Sequence, residues 1–160
     1  GKLKSVVESL PGVMCAYVDD QHPRGQGTVD VIVIGTAGAA SAELIQQAQQ
    51  AIDTLRDNYE DYLVKPGEIV YQDVDITLHL RAGTSTTDAA DVAKTLISSA
   101  MRLSNRSDFN RFLQDDIRYI LKSNIPGYRK TVFTSPATDV ELAQDKVIML
   151  GNITVQVANT

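Results

Sequence analysis

A chain of 160 residues with 43% apolar side chains is long enough to build one ordinary domain, or two small subdomains that share a core. Its 15 basic residues against 20 acidic ones leave a formal charge of -5, which repels a phosphate backbone unless the cations gather on one face. A single cysteine, Cys15, excludes an internal disulfide and fits a reducing compartment, and the longest apolar run, about Thr28 to Ile34, is far short of the roughly 20 residues that cross a bilayer.

The segment Gly1 to Ser9 places Lys2 and Lys4 before Glu8 without the apolar run of a signal peptide, so export is not expected. A short helix is predicted near Ser5 to Leu10, stopped by Pro11-Gly12. Val13 to Val18 then reads as a strand in which Cys15 is a buried small hydrophobe. Asp19 to Gly27 is polar and holds Pro23, Gly25 and Gly27, and Thr28 to Ile34 is β-branched, so the two apolar runs form a hairpin around a long loop. Gly35 to Ala40 is small and flexible. Ser41 caps a helix whose apolar positions Leu44, Ile45, Ala48, Ile52 and Leu55 follow the 3.6-residue period.

Charge from Asp57 to Asp61 marks the end of that helix, and Tyr62 to Val64 reads as a short strand before Lys65-Pro66-Gly67. A long strand follows from about Ile69 to Arg81. In it Val74, Ile76, Leu78 and Leu80 alternate with Asp75, Thr77, His79 and Arg81, so one face packs and the other meets water or a partner. Thr84 to Thr87 supply capping hydroxyls for a helix with Ala89, Val92, Ala93, Leu96, Ile97, Ala100 and Leu103 on one side. A second, antiparallel helix is predicted from Asp108, with Phe109, Phe112, Leu113, Ile117, Ile120 and Leu121 as its buried stripe. Ile125-Pro126-Gly127 leads into a strand over Tyr128 to Phe133, repeating the Leu10-Pro11-Gly12 design. After Ser135-Pro136 comes a loop through Asp145, then a strand pair or one bent strand from Val147 to Val157, broken at Gly151-Asn152. The plan is α+β, or mixed α/β, with two related subdomains of strand pairs and helices packed on the sheet. The first is expected over residues 1–83, and a helical pair with carboxy-terminal strands over 84–160.

Chemistry has few builders here. Asp19-Asp20-Gln21-His22 joins carboxylates to an imidazole, yet neighbouring strand residues point to opposite faces, and Pro23 and Gly25 explain the polarity as a loop. Asp73, Asp75, Thr77 and His79 lie on one strand face, where a carboxylate four residues from the imidazole is about 13 Å away, too far to chelate one ion. Gly35-Thr36-Ala37-Gly38 precedes a helix as phosphate loops do, but lacks the Lys-Ser/Thr of a Walker loop and the third glycine of a dinucleotide fingerprint. Arg102, Arg106, Arg111, Arg118, Lys122, Arg129 and Lys130 are interleaved with Asp108, Asp115 and Asp116, which reads as a solvated mixed-charge face rather than a nucleic-acid surface. No catalytic, cofactor-binding or metal-binding residue is assigned. The alternatives to a binding module are a small-ligand or metal-dependent enzyme, which needs a deep pocket of converging polar groups, and a nucleic-acid binder, which needs salt-sensitive retention on a polyanion.

Three stretches together resemble the phage baseplate J-like family, the wedge proteins of contractile-tail phages and related injection devices. Pro23-Arg24-Gly25-Gln26-Gly27-Thr28-Val29-Asp30-Val31-Ile32-Val33 is similar to the family's Pro-x-Gly-x-Gly-Thr-Val-x-Val pattern. Ser41-Ala42-Glu43-Leu44, continuing to Ala51-Ile52-Asp53, is similar to its following helix. Ile125-Pro126-Gly127, Thr134-Ser135-Pro136 and Leu150-Gly151-Asn152-Ile153-Thr154-Val155 resemble its ending. The chain departs from the family at Arg56 to Tyr62, where a proline-rich turn is usual. The resemblance implies a structural protein of the tail baseplate in a phage or prophage, one that links the hub region to peripheral fibre components and helps transmit the trigger for sheath contraction. It implies a virion location after assembly in the host cytoplasm, other baseplate and tail proteins as partners, no nucleic acid, no membrane and no active site. Family members are longer, so the chain is expected to be a carboxy-terminal portion, with Gly1 a cloning remnant. In isolation it is expected to be a monomer or weak oligomer, with contact residues Asp19, Asp20, His22 and Arg24 on the loop and Asp75, Thr77, His79 and Arg81 on the polar strand face.

Overall fold

Residues 2–55 and 60–159 are described by a computed structural model. Among them the chain order is α1 (Lys2–Glu8), β1 (Val13–Asp19), β2 (Thr28–Gly35), α2 (Ala42–Leu55), β3 (Asp61–Pro66), β4 (Glu68–Leu80), α3 (Ala89–Ala100), β5 (Arg111–Phe112), α4 (Gln114–Asn124), β6 (Tyr128–Ser135), β7 (Val140–Glu141) and β8 (Lys146–Asn159). The fold is α+β, as expected. Residues 56–59, where the charged end of α2 and most of the departure from the family pattern were read, lie outside the described residues. The chain divides into two units, Gly1–Ile69 with Ala143–Val147, and Val70–Leu142 with Ile148–Thr160.

In the first unit β2 is the middle strand of the order β1-β2-β3. It runs antiparallel to β1, with Asp19 opposite Asp30, and parallel to β3, with Thr28 opposite Asp61. The parallel pairing follows from the chain: α2 crosses between β2 and β3, as a parallel connection requires. All eight residues of β2 are buried, which explains why its sequence is nearly continuous in β-branched residues instead of alternating. Val31 and Val33 pack with Leu44, Ala48 and Ile52 of α2 and with Val7 of α1. Ser41 caps α2 as read, its Oγ accepting from the Leu44 N–H at 3.1 Å. The Gln49 side chain then reaches the edge strand β3, donating to Tyr62 O at 3.0 Å and accepting from Val64 N–H at 2.8 Å. Those two bonds imitate a neighbouring strand and close an edge that otherwise invites pairing.

In the second unit β4 is central in the order β6-β4-β8. Its alternation is as predicted: Val74, Ile76, Leu78 and Leu80 pack with Ala93 and Ile97 of α3 and with Ile117 and Leu121 of α4. The two Pro–Gly echoes are one device used twice. The Val13 N–H donates to Leu10 O at 3.2 Å and the Tyr128 N–H to Ile125 O at 3.3 Å, each closing a four-residue turn. Gly12 and Gly127 take φ of 91° and 74°, so proline in the second position and a left-handed glycine in the third fit a type II turn.

Several expectations change. The helix predicted from Asp108 begins only at Gln114, because Arg111 and Phe112 are extended and pair with Glu141 and Val140 of β7. Phe109, Phe112 and Leu113 have helical spacing, but Phe112 enters the core from a strand and meets Phe133 edge-on, with ring centroids 6.3 Å apart. The first turn of α4 is capped from a distance, the Gln114 N–H donating to Asp139 Oδ1 at 2.7 Å. Helix α3 starts after Asp88 with no side-chain cap. Val92 of the predicted stripe is 44% exposed, and Leu103 belongs to a separate 3-10 turn. The carboxy-terminal strand is continuous through Gly151-Asn152. A Cβ at Gly151 would run into the Asp73 carboxylate, which accepts from the Asn152 N–H at 2.8 Å. The glycine there makes room for an acid on the neighbouring strand.

Candidate functional site

The expected contact residues fall in separate places. Asp19, Asp20, His22 and Arg24 belong to the β1–β2 loop of the first unit, while Asp75, Thr77 and His79 lie on β4 in the second. Arg81 lies past the end of β4 and lines a groove with α4 and β6.

The loop is shaped by its own polar groups. Asp19 Oδ1 accepts from the Gln21 N–H at 3.1 Å and Asp20 Oδ1 from Gln21 Nε2 at 2.8 Å, so the carboxylates serve the turn instead of converging. His22 has a φ of 55° and its carbonyl accepts from the Gly25 N–H at 3.0 Å. Thr28 Oγ1 accepts from the Arg24 N–H at 3.1 Å and donates to Gly25 O at 2.6 Å. Gly25 and Gly27 have φ of 114° and 73°, which only glycine adopts without strain. The Pro-x-Gly-x-Gly-Thr pattern is therefore a folded clasp.

Arg24 is the clasp's pin and is not a free contact residue. Its Nε donates to Asp30 Oδ1 at 2.7 Å, its Nη1 to Asp61 Oδ2 at 3.0 Å, and its Nη2 to Asp61 O at 3.1 Å. Asp30, with a side chain 3% exposed, also faces Lys65 Nζ at 3.4 Å. Bonds to Asp30 and then to Asp61 raise the guanidinium above its already high ordinary pKa. Asp30 has no place among the expected contact residues; the sequence signal for it is an acid inside a run of β-branched residues. Arg106, expected on a solvated mixed-charge face, instead turns inward. Its guanidinium donates to Ile148 O at 2.5 Å and Phe109 O at 3.1 Å, and burial lowers its pKa.

On the open side of the second sheet, Asp75, Thr77 and His79 line up with β6, where Thr77 is opposite Val132 and His79 opposite Lys130. Asn152, Thr154 and Gln156 of β8 are exposed at alternate positions. The result is a hydroxyl- and amide-rich face with scattered charge, of a composition suited to partner contacts.

Three amides of the glycine loop before α2 are already engaged within the fold. The Gly35 and Gly38 N–H groups donate to each other's carbonyls at 3.0 Å, and the Thr36 N–H donates to Gly12 O at 3.0 Å. Among the described residues no group of three or more His, Cys, Asp or Glu side chains is placed to hold a metal ion. No buried side-chain nitrogen or oxygen among them lacks a hydrogen-bond partner, and no helix is long and apolar enough to cross a membrane.

Cys15 is half-buried on β1, less enclosed than expected. Burial, and then the charge of Glu8, push its thiol up to about 11. Since the thiolate is the nucleophile, alkylation by iodoacetamide at pH 7 should be about a hundredfold slower than for an unhindered cysteine and should rise about tenfold per pH unit toward pH 10. Mass spectrometry of quenched samples measures the rate; alkylation as fast as that of a free thiol at pH 7 contradicts this environment.

No protein-family model matches the sequence, and no curated protein matches it. A solved structure does: a chain in the cryo-EM structure of the anti-feeding prophage (AFP) baseplate, 6-fold symmetrised, is similar to this chain with a TM-score of 0.65 at 14% identity. The likeness covers 95% of this chain and 37% of that one. The two share a fold, and the present chain spans little more than a third of the length of the baseplate chain.

Proposed function

We propose that this chain is a structural module of a contractile-tail baseplate, of the baseplate J-like kind, which works through contacts with other baseplate and tail proteins and resides in the assembled tail. The observation that carries the reading is the fold shared along 95% of the chain with a chain of the AFP baseplate. The clasped Pro-x-Gly-x-Gly-Thr loop and the Ile125-Pro126-Gly127 turn support it, because both carry the family resemblance and both hold a glycine in a positive-φ turn. The role needs surfaces and a rigid scaffold and no chemical step.

The contact surface in this reading is the open face around Asp75, Thr77 and His79, with the Asp19 to His22 part of the loop as a second candidate. Asp75→Lys combined with Thr77→Arg should leave the melting temperature within a few degrees, since neither side chain enters the core. It should abolish co-purification of the full-length protein with its neighbouring tail proteins. Normal assembly by the folded double variant overturns the assignment of this face.

A further inference from the structure

Bordering that face, where Lys130 stands opposite His79, the second unit concentrates positive charge in one place. Arg81, Arg118, Lys122, Arg129 and Lys130 line a groove between α4 and β6, and the only carboxylate among the lining residues is Asp115. Since the whole chain carries a formal charge of -5, the surface outside the groove is more acidic still. Asp115 is already engaged, accepting from Arg118 Nη1 at 3.0 Å, and Arg118 also sits over the Phe133 ring at 5.0 Å. Arg81, Lys122 and Lys130 have no ion-pair partner among the described residues. Tyr119, at 74% exposure, adds an aromatic wall, the residue type that with arginine dominates protein contacts.

We infer that this groove docks a short acidic segment of a partner protein, with Arg81, Lys122 and Lys130 meeting its carboxylates and Tyr119 its apolar stems. Charge complementarity selects this occupant. A short acidic peptide ends within the basic groove, whereas a long nucleic acid would run on over an acidic surface that repels its phosphates. The groove's volume of about 530 Å³ is of the size that takes a few side chains. The inference deepens the assembly reading by naming a partner chemistry, and its test uses the purified chain with a synthetic probe, so its failure leaves the contact role of Asp75 and Thr77 untouched.

The experiment is a two-dimensional amide NMR titration of the chain with a deca-glutamate peptide, repeated with deca-thymidylate. The expected result is saturable shifts at Tyr119, Lys122, Arg129 and Lys130 on adding the peptide, weakened by added salt. In Arg81→Glu/Lys122→Glu the dissociation constant should rise at least tenfold; in Lys94→Glu on α3 it should not change. The neutral pair Arg81→Gln/Lys122→Gln should fall between, and it serves if the reversed pair does not fold. Absence of shifts at the groove, an unchanged constant in the folded Gln pair, or tighter binding of the oligonucleotide than of the peptide overturns the inference.

Discussion

Replacing Ile76 by alanine should lower stability by about 3–4 kcal/mol, within the roughly 2–5 kcal/mol seen when a buried Ile or Leu is cut to Ala, whereas Thr77→Ala, one residue along, should cost under about 1 kcal/mol. The contrast follows from position. Ile76 is 0% exposed on the central strand β4, among residues from both α3 and α4. That strand is hydrogen-bonded on both edges, by β6 and β8, so the cavity left by the lost methyl groups has little freedom to collapse. Thr77 faces the open side opposite Val132, itself 45% exposed. Denaturant melts of the two variants beside the parent chain measure the difference. Equal losses would mean that the two faces of β4 are not as unequal as their burial.

That contrast is legible in the sequence, and the reason is physical. Alternation from Val74 to Leu80 is a period-2 signal fixed by local geometry, and the 3.6-residue period after Ser41 is fixed in the same way. Both Pro–Gly turns were legible because proline and glycine restrict backbone angles whatever surrounds them. Phe109, Phe112 and Leu113 misled because their spacing satisfies a helix, while the deciding fact is a partner strand about thirty residues later in β7. Gly151 read as a break for a related reason. Its meaning lies in Asp73 on the adjacent strand, which sequence order does not reveal.

The candidate surfaces were less legible than the fold. Arg24 looked like a free loop cation because its partners, Asp30 and Asp61, lie 6 and 37 residues away in sequence. The basic residues between Arg102 and Lys130 looked evenly mixed with acids along the chain. Folding sorts them: Arg106 turns inward to backbone carbonyls, Arg111 pairs with Asp108, and Arg118 with Asp115. Lys122, Arg129 and Lys130 line one groove with Arg81 from the end of β4, so the groove is assembled from three elements whose charges do not stand out in any window of sequence.

The Asp30 cluster carries the other large effect. Asp30→Ala should cost about 2–3 kcal/mol, below the roughly 3–5 kcal/mol for breaking a fully buried pair, because the Arg24 and Lys65 side chains freed by the change are partly exposed and regain water. Those exposures are 31% and 38%, against 3% for Asp30. The asymmetry makes a sharper claim about the partners. Arg24→Ala leaves a carboxylate inside the sheet with only Lys65 to face, and also removes the donors to Val29 O and Asp61 O. Asp61→Ala removes only one carboxylate, whose side chain is 67% exposed, and exposed ion pairs contribute little. The order of destabilisation should therefore place Arg24→Ala well above Asp61→Ala. Arg24→Ala/Asp30→Ala should be less damaging than the sum of its two single changes, since neither charge is then stranded. Urea denaturation of the four variants, followed by circular dichroism, completes the cycle. Additive losses, or an Asp61 effect as large as that of Arg24, would mean that the clasp is a surface ion pair and that the Pro-x-Gly-x-Gly-Thr loop keeps its shape without it.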